Sequence, residues 1–508
     1  MGGNDYQSQS SPINIAAFSG GLNTTTNPLS LQENEARDIQ NMDFDKFGSV
    51  IKRKGYTALN TSAFNSGAVW NSLHYLQLST GTDYLMGTCG NKLAKQDNLD
   101  GTWDDITGSL TITAGTTNFM NWITFKDTAF GTNNVDLPIK WTGTGDGALW
   151  TTVADLTKAK YTETFENYVF LANTVVLGTT HNTRVYWSCI NEPETWNAAD
   201  FNEIGFKDGQ DITGIKALGD RLVIFKENSI YVAFFTGSSE IPFTFQKTSS
   251  TVGCISGGSI QSANNAIIFA SGDGLYYFDG ANSFKISDKI NNTIAAYKNS
   301  QYPYIVSAYQ NTKNRYWSMF QTTPAANPDR VIAYDTYNNA FTIYKNVGAN
   351  CFAVFNYLGE ERIYFGDFSG YVYRADTGLN DSPINVSTAI DAFVRTKYYH
   401  FGDIVNKKGV PSIVVYYECT NATLTMTYSY DLTDADDYTQ SFSMACGGGL
   451  WDTAVWDTSV WGRSGGQQTR RDLTGRGRLI AFKFSNSILS QTLQVHGLGP
   501  YVHLETNI

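Results

Sequence analysis

Five histidines, His74, His181, His400, His496 and His503, have the widest chemical reach in this 508-residue chain, and their spacing assigns them little. No HExxH pair occurs and no cysteine stands at metal-ligand spacing from any of them, so a zinc site has no ligand set to draw on. His496 and His503 lie seven apart in a strand-like run, which suits satisfied or solvent-facing rings. Neither a GxSxG elbow nor a P-loop is present. The Gly-rich TGTGDG (142–147) lacks the strand–loop–helix setting of a phosphate cradle and reads as a turn. Carboxylates pair at Asp43/Asp45 and Asp104/Asp105 and run together at Asp434, Asp436 and Asp437. A glycosidase needs two carboxyls about 5 to 9.5 Å apart across a sugar, and nearness in sequence does not establish that. The 434–437 run reads as a solvated turn, without the spacing and terminal Glu of a calcium loop. No catalytic residue, metal or cofactor is assigned, and the chain is expected to be no enzyme.

Two segments are better suited to contact than to catalysis. WDTAVWDTSVWG (451–462) places Trp451, Trp456 and Trp461 five apart, a period of neither helix nor strand. Indoles so spaced suit docking on a partner or an adjacent sheet, since each offers large contact area and a donor tip. Just beyond it, Arg463, Arg470, Arg471, Arg476 and Arg478 against Asp472 make a local basic excess in a Gly/Gln/Thr-rich stretch expected to be a loop. Three readings stay open for these arginines: an acidic neighbouring subunit, the phosphates of DNA in a channel, or a solvated loop on an acidic protein.

The elements that must carry these segments are strands. Aromatic residues make up 14% of the chain, charged residues only 16%, and Gly (46) far exceeds Pro (11). Aromatic and β-branched residues fit pleated, half-buried surfaces, while Gly, Asn and Asp supply the turns between them. The formal net charge of −11 argues against a protein that grips DNA over its whole surface, though not against a wall that lets DNA slide past. Six scattered cysteines form no CxxC and suit a reducing compartment, each as a small buried residue. No signal-peptide pattern and no apolar run of ~20 residues appears, so no membrane span is expected. Met1-Gly2 lacks the Ser or Thr at position 6 that myristoylation wants; Tyr6 stands there.

Three regions follow. Residues 1–67 are polar and weakly periodic and read as an extended arm reaching a neighbouring subunit. Within it 31–42 is the helix candidate, on Leu31, Ala36, Ile39 and Met42, with Ser30 as N-cap. Across 68–384 a unit of apolar strand, turn and second apolar strand recurs, at 74–88, 121–132, 164–172, 215–226, 262–271, 306–320 and 353–366. The step is about 46 residues, the period of a four-stranded propeller blade. One small sheet cannot cover both its faces, but several set radially bury each face against the next. An all-β fold with a β-propeller of about seven blades is expected; a pair of sandwiches or a β-solenoid is the alternative. Residues 385–508 break the period but keep strand alternation, as at Leu424, Met426 and Tyr428 against Thr423, Thr425 and Thr427, and suit a C-terminal β-sandwich.

The N-terminal segment FSGGLNTTTNPLSLQENEARDIQNMDFDKFGSVIKRKGYTAL (18–59) resembles a phage tail signature. The pattern has a Gly-Gly-Leu-Asn opening, a Leu…Glu-Ala…Asn-Met-Asp-Phe core and a Gly…Lys-Arg…Gly-Tyr close. Residues 184–234, 254–280 and 393–402 continue the likeness, which is to the tail nozzle, or tail tubular protein B, subunits of podoviruses. That resemblance implies a homo-oligomeric ring, a hexamer, below the portal–adaptor proteins of a virion assembled in the host cytoplasm. It would contact tail fibres or spikes and let viral DNA pass without sequence-specific binding. It carries over no catalytic residues; Lys52, Arg53 and Lys54 match its basic close and are candidates for subunit or DNA-channel contact. The alternatives are a receptor-binding or glycan-degrading propeller of the tail and a cellular scaffold propeller.

Overall fold

The computed structural model describes residues 11–504, apart from 98, 100, 153–155, 324–325, 358, 385, 419–421, 433–437 and 445–466. Among the described residues strands dominate, and the one α-helix is Asn291–Tyr297. Seven four-stranded antiparallel units follow one another along the chain. Their first strands are Trp70–Gln77, Asn121–Phe125, Leu156–Phe165, Ile212–Leu218, Gln261–Ala263, Ser307–Gln310 and Cys351–Tyr357. Each first strand touches the first strands of the units before and after, and the last returns to Trp70–Gln77. The ring is therefore closed: a seven-bladed β-propeller with the first strands nearest the axis.

The alternation along each second strand explains why this ring forms. In blade four, Leu222 and Ile224 pack with Phe170 and Val185 of blade three, while Val223 and Phe225 pack with Ile267 and Phe269 of blade five. Period-two side chains serve two neighbours at once, which is what a radial stack demands. The same division recurs around the ring, from Trp70 and Leu85 against Tyr364 and Val372 to Trp317 and Val331 against Ile363 and Phe365. Each such fully buried side chain contributes about 1.5–3 kcal/mol. Cys89, Cys254 and Cys351 are buried among them as free thiols, Cys189 is half-buried, and burial pushes Cys254 up to about 12.

Blade seven supplies only three strands from its own stretch of chain. Its fourth is Tyr56–Ala58, pairing antiparallel with Val372–Ala375. Just before it, Gly55 packs against the chain beyond that strand, where a Cβ would sit 1.7 Å from the Asn380 carbonyl oxygen. Ring closure thus draws on the N-terminal segment, so the propeller extends beyond 68–384.

The second domain is a β-sandwich woven from both chain ends. One sheet runs in the order Gln467–Asp472, Lys408–Glu418, Gln494–Leu504, Val50–Lys52, Met42–Phe44. The other runs Glu35–Gln40, Ala392–Thr396, Ile480–Asn486, Ala422–Tyr430, Tyr438–Met444, and joins blade six where Ile343 pairs with Gln40. Val50, Ile413 and Val415 from the first sheet meet Val394, Phe482 and Met426 from the second in a core that continues into blades five and six. Residues 31–42 are not helical: Glu35–Gln40 is a strand with neighbours on both sides. A 12-residue helix is marginal alone, whereas this segment fills the slot between blade six and Ala392–Thr396, burying Leu31, Ala36, Ile39 and Met42. From residue 11 to 58 the expected arm pairs along its length with its own chain. Among the described residues no helix is long and apolar enough to cross a membrane.

Candidate functional site

The basic close of the N-terminal signature lies inside the molecule. Arg53 is 4% exposed and grips Asp381 with two hydrogen bonds, Nη1 to Oδ1 at 2.8 Å and Nη2 to Oδ2 at 2.7 Å. It also donates to the Lys345 carbonyl of blade six and, through Nε, to Asn41 Oδ1. Asn41 takes a left-handed conformation (φ 53°) and accepts a second bond from the Lys345 backbone N–H. Lys52, also 4% exposed, donates to Asn486 Oδ1 at 2.8 Å and to the Ile488 carbonyl. Burial and the neighbouring Arg53 pull its ammonium down to about 8. Arg53 is therefore a strut between propeller and sandwich and Lys52 a tie between the two sandwich sheets, a correction to their reading as contacts for a subunit or DNA. A charged residue this deep must find partners within its own chain. Lys54 is exposed and is the member of the trio still open to a partner.

The arginine-rich stretch is more ordered than a loop. Gln467–Asp472 is the edge strand of the first sandwich sheet, and Arg476–Gly477 pairs with Lys408–Glu418. Arg470 is exposed, donates through Nε to Ser412 Oγ and lays its guanidinium 4.9 Å from the Tyr501 ring. Arg471 is half-buried and Arg476 exposed. Arg478 is exposed and donates to the Val405 carbonyl at 2.9 Å. Trp451, Trp456, Trp461 and Arg463 lie outside the described residues, as does the Asp434–Asp437 run. TGTGDG (142–147) is a turn tied by Trp141 Nε1 to the Gly145 carbonyl.

The concavity into which every blade reaches was not anticipated. It is a cavity of about 530 Å³ at the end of the axis where the first strands begin. Asn71 and His74 come from blade one, Trp122 from blade two, Tyr161 from blade three, Thr213 from blade four and Phe352 from blade seven. Gly257 lets the Tyr161 ring lie against its loop, since a Cβ there would stand 2.5 Å from the ring. The walls are braced by amide-to-backbone bonds, Gln261 to the Ser307 carbonyl and Asn173 to the Ile212 carbonyl, both 3.0 Å. Among the described residues no group of three His, Cys, Asp or Glu side chains is placed to hold a metal ion.

No family model matches the chain, and no curated protein matches it. Solved structures similar to it include the computationally designed Ika8 protein, 9% identical with TM-score 0.38, over 63% of this chain and all of that one. YCF48 from Cyanidioschyzon merolae is 12% identical with TM-score 0.40, over 65% of this chain and all of that one. The WD40 β-propeller domain of Doa1 is 8% identical with TM-score 0.40, over 63% and 96%. Likenesses of this degree say nothing of what this chain does.

Further along the axis a polar belt spans blades one to four. Lys216 pairs with Glu163 at 3.0 Å, and His74 shares a 2.7 Å hydrogen bond with Thr124. His74 is half-buried and faces the channel; desolvation by the surrounding protein, aided by the positive charge of Lys216, lowers its pKa to about 4. The unfolded chain therefore binds a proton on this ring between about 6.5 and 4 while the folded chain does not. Stability is full above about 6.5 and falls as the pH drops towards 4. Replacing His74 with Gln is expected to flatten that limb of a plot of denaturation midpoint against pH; an unchanged slope would place the effect elsewhere.

Proposed function

We propose that this chain is a structural subunit of a short phage tail, a nozzle-type protein that assembles as a ring, a hexamer, around the DNA exit channel, beneath portal–adaptor proteins and beside tail fibres or spikes. The observation that carries the reading is the use made of the signature residues. Asn41 and Arg53 from the Asn-Met-Asp-Phe core and the Lys-Arg close meet in one network that fastens blade six and Asp381 to the sandwich. Asp43 of the same core accepts from Arg315 of blade six at 2.9 Å. A motif whose members hold each other in place at a domain joint is what a signature of this architecture requires, and this supports carrying its resemblance to the nozzle pattern from sequence to architecture. In this reading the protein is a wall rather than an enzyme, and its partners are protein surfaces and passing DNA in the virion. Among the described residues, Lys54 and the exposed Arg470 and Arg478 are basic groups at the surface that could meet an acidic neighbour or phosphate.

Negative-stain imaging of the purified chain, alone and with its cognate portal–adaptor complex, tests this. Closed rings with a central opening are expected. A protein that stays monomeric by light scattering and does not join the adaptor would overturn the reading.

A further inference from the structure

The axial mouth is built more elaborately than a channel wall requires. We propose that it is a binding site for a neutral saccharide, taking a terminal sugar of a glycan.

Size and rigidity come first. At about 530 Å³ the cavity lies within the ~300–1,000 Å³ typical of small-molecule sites. Its walls are first strands, the loops leading into them and the far ends of second strands, braced by the bonds of Gln261 and Asn173. Little would have to be ordered on binding, so little affinity would be lost to that ordering.

The chemistry of the lining selects the ligand. Tyr304 stands at the rim, 46% exposed, and Phe119, Tyr161 and Phe352 are half-buried in the wall. Such rings offer flat apolar faces to the C–H face of a pyranose. Between them stand polar groups without a protein partner. Asn71 is 2% exposed and donates its Nδ2 to the Gly115 carbonyl, yet its Oδ1 has no hydrogen-bond partner. Thr213 Oγ1 is likewise unpaired, and among the described residues the Tyr161 hydroxyl makes no hydrogen bond. Buried polar atoms left unpaired are costly and point to a ligand or water that completes them. Hydroxyl groups fit, because each donates and accepts and so suits the Asn71 oxygen and the two hydroxyls alike.

Charge decides against the competing classes. Lys160 is the cavity's cation, resting 5.3 Å over the Tyr161 ring and attracted by Asp211, and Glu227 also lines the cavity. Among the described residues neither Lys160 nor Glu227 has an ion-pair partner. One cation against two carboxylates makes no field for a phosphate or a nucleic acid backbone. Both groups remain available for charge-assisted hydrogen bonds to sugar hydroxyls.

This inference stands independently of the tail reading. The experiment is isothermal titration of the full chain with maltohexaose, cellohexaose, chitohexaose and mannohexaose, with a heparin hexasaccharide as the anionic arm. At least one neutral oligosaccharide is expected to bind at or below about 1 mM. Tyr304→Ala and Glu227→Gln, both at exposed positions, should each weaken it about tenfold with the thermal midpoint unchanged. The inference is overturned if no neutral probe binds up to about 5 mM, if only heparin binds, or if both variants bind as the parent does. A protein that forms rings and ignores every neutral sugar sinks this inference and leaves the tail reading standing; a sugar-binding monomer does the reverse.

Discussion

Replacing Arg53 with alanine is expected to destabilise the protein by about 3–5 kcal/mol, because it abandons Asp381 as a buried, unpaired carboxylate. Both side chains are 4% exposed, so water cannot substitute for the guanidinium. The bonds to the Lys345 carbonyl and to Asn41 Oδ1 go with it. The loss should be felt first at ring closure. Tyr56–Ala58, which completes blade seven, begins three residues after Arg53, and Asp381 lies shortly after the Val372–Ala375 strand it pairs with. Hydrogen exchange should therefore show 56–58 and 372–375 losing protection before blades two to four. A paired variant, Arg53→Met with Asp381→Leu, removes both charges and should recover most of the stability, since well-packed apolar replacements of a buried ion pair are often neutral. If Arg53→Ala leaves the urea midpoint and the exchange pattern unchanged, the joint does not depend on this pair.

The same residues show what was legible in the sequence. The blades were, because each second strand serves two neighbours and so keeps strict alternation, as in Leu222 to Phe225. The closing strand was not: Tyr56–Ala58 is three residues long, too short for a period, and its partner lies over 300 residues away. Residues 31–42 misled for a related reason. Leu31, Ala36, Ile39 and Met42 fit a helical face well enough, and only the vacancy between blade six and Ala392–Thr396 makes the segment a strand. Lys52 and Arg53 read as surface charge because a sequence does not show which basic residues have buried carboxylates or carbonyls waiting for them. The Tyr6-bearing start and the Trp-rich stretch lie outside the described residues. The axial mouth left no linear trace: Asn71, Tyr161 and Thr213 come from three different blades. A possible signal was the repeated fall of polar residues near the starts of first strands, as at Asn71, Asn121 and Gln261, where a purely structural ring would favour apolar ones.

A second large effect is expected at Arg315, with an unusual dependence on pH. Arg315 is buried, with Asp43 on one side, Asp376 on the other, Gln310 Oε1 at 3.1 Å and the Trp317 ring beneath it. Burial alone would raise the pKa of Asp376, but Arg315 and Lys313, the latter at 2.9 Å, outweigh it and hold the carboxyl below its ordinary 3.8. A depressed carboxyl stabilises the fold above its unfolded pKa and loses that contribution as the pH falls through its folded pKa. In the parent protein the Asp376 contribution is therefore present at neutral pH and fades below about 4. Arg315→Met reverses the balance. Lys313, 43% exposed, is too well screened to hold the carboxyl down alone, so burial wins and the pKa of Asp376 rises above its unfolded value. Its sign in the linkage changes with it: folded Asp376 then holds a proton that the unfolded chain has lost, and stability falls as the pH rises from about 4 towards neutrality. The variant should lose about 3–5 kcal/mol at pH 7, as expected when one partner of a buried ionic cluster is removed. The gap to the parent should narrow steadily as both are acidified towards pH 4. Denaturation midpoints of the two proteins across pH 4–8 provide the measurement. A gap that is constant with pH would show that Arg315 acts by packing against Trp317 and not by holding the carboxylates, while a narrowing gap assigns the joint between blades six and seven and the N-terminal segment to charge.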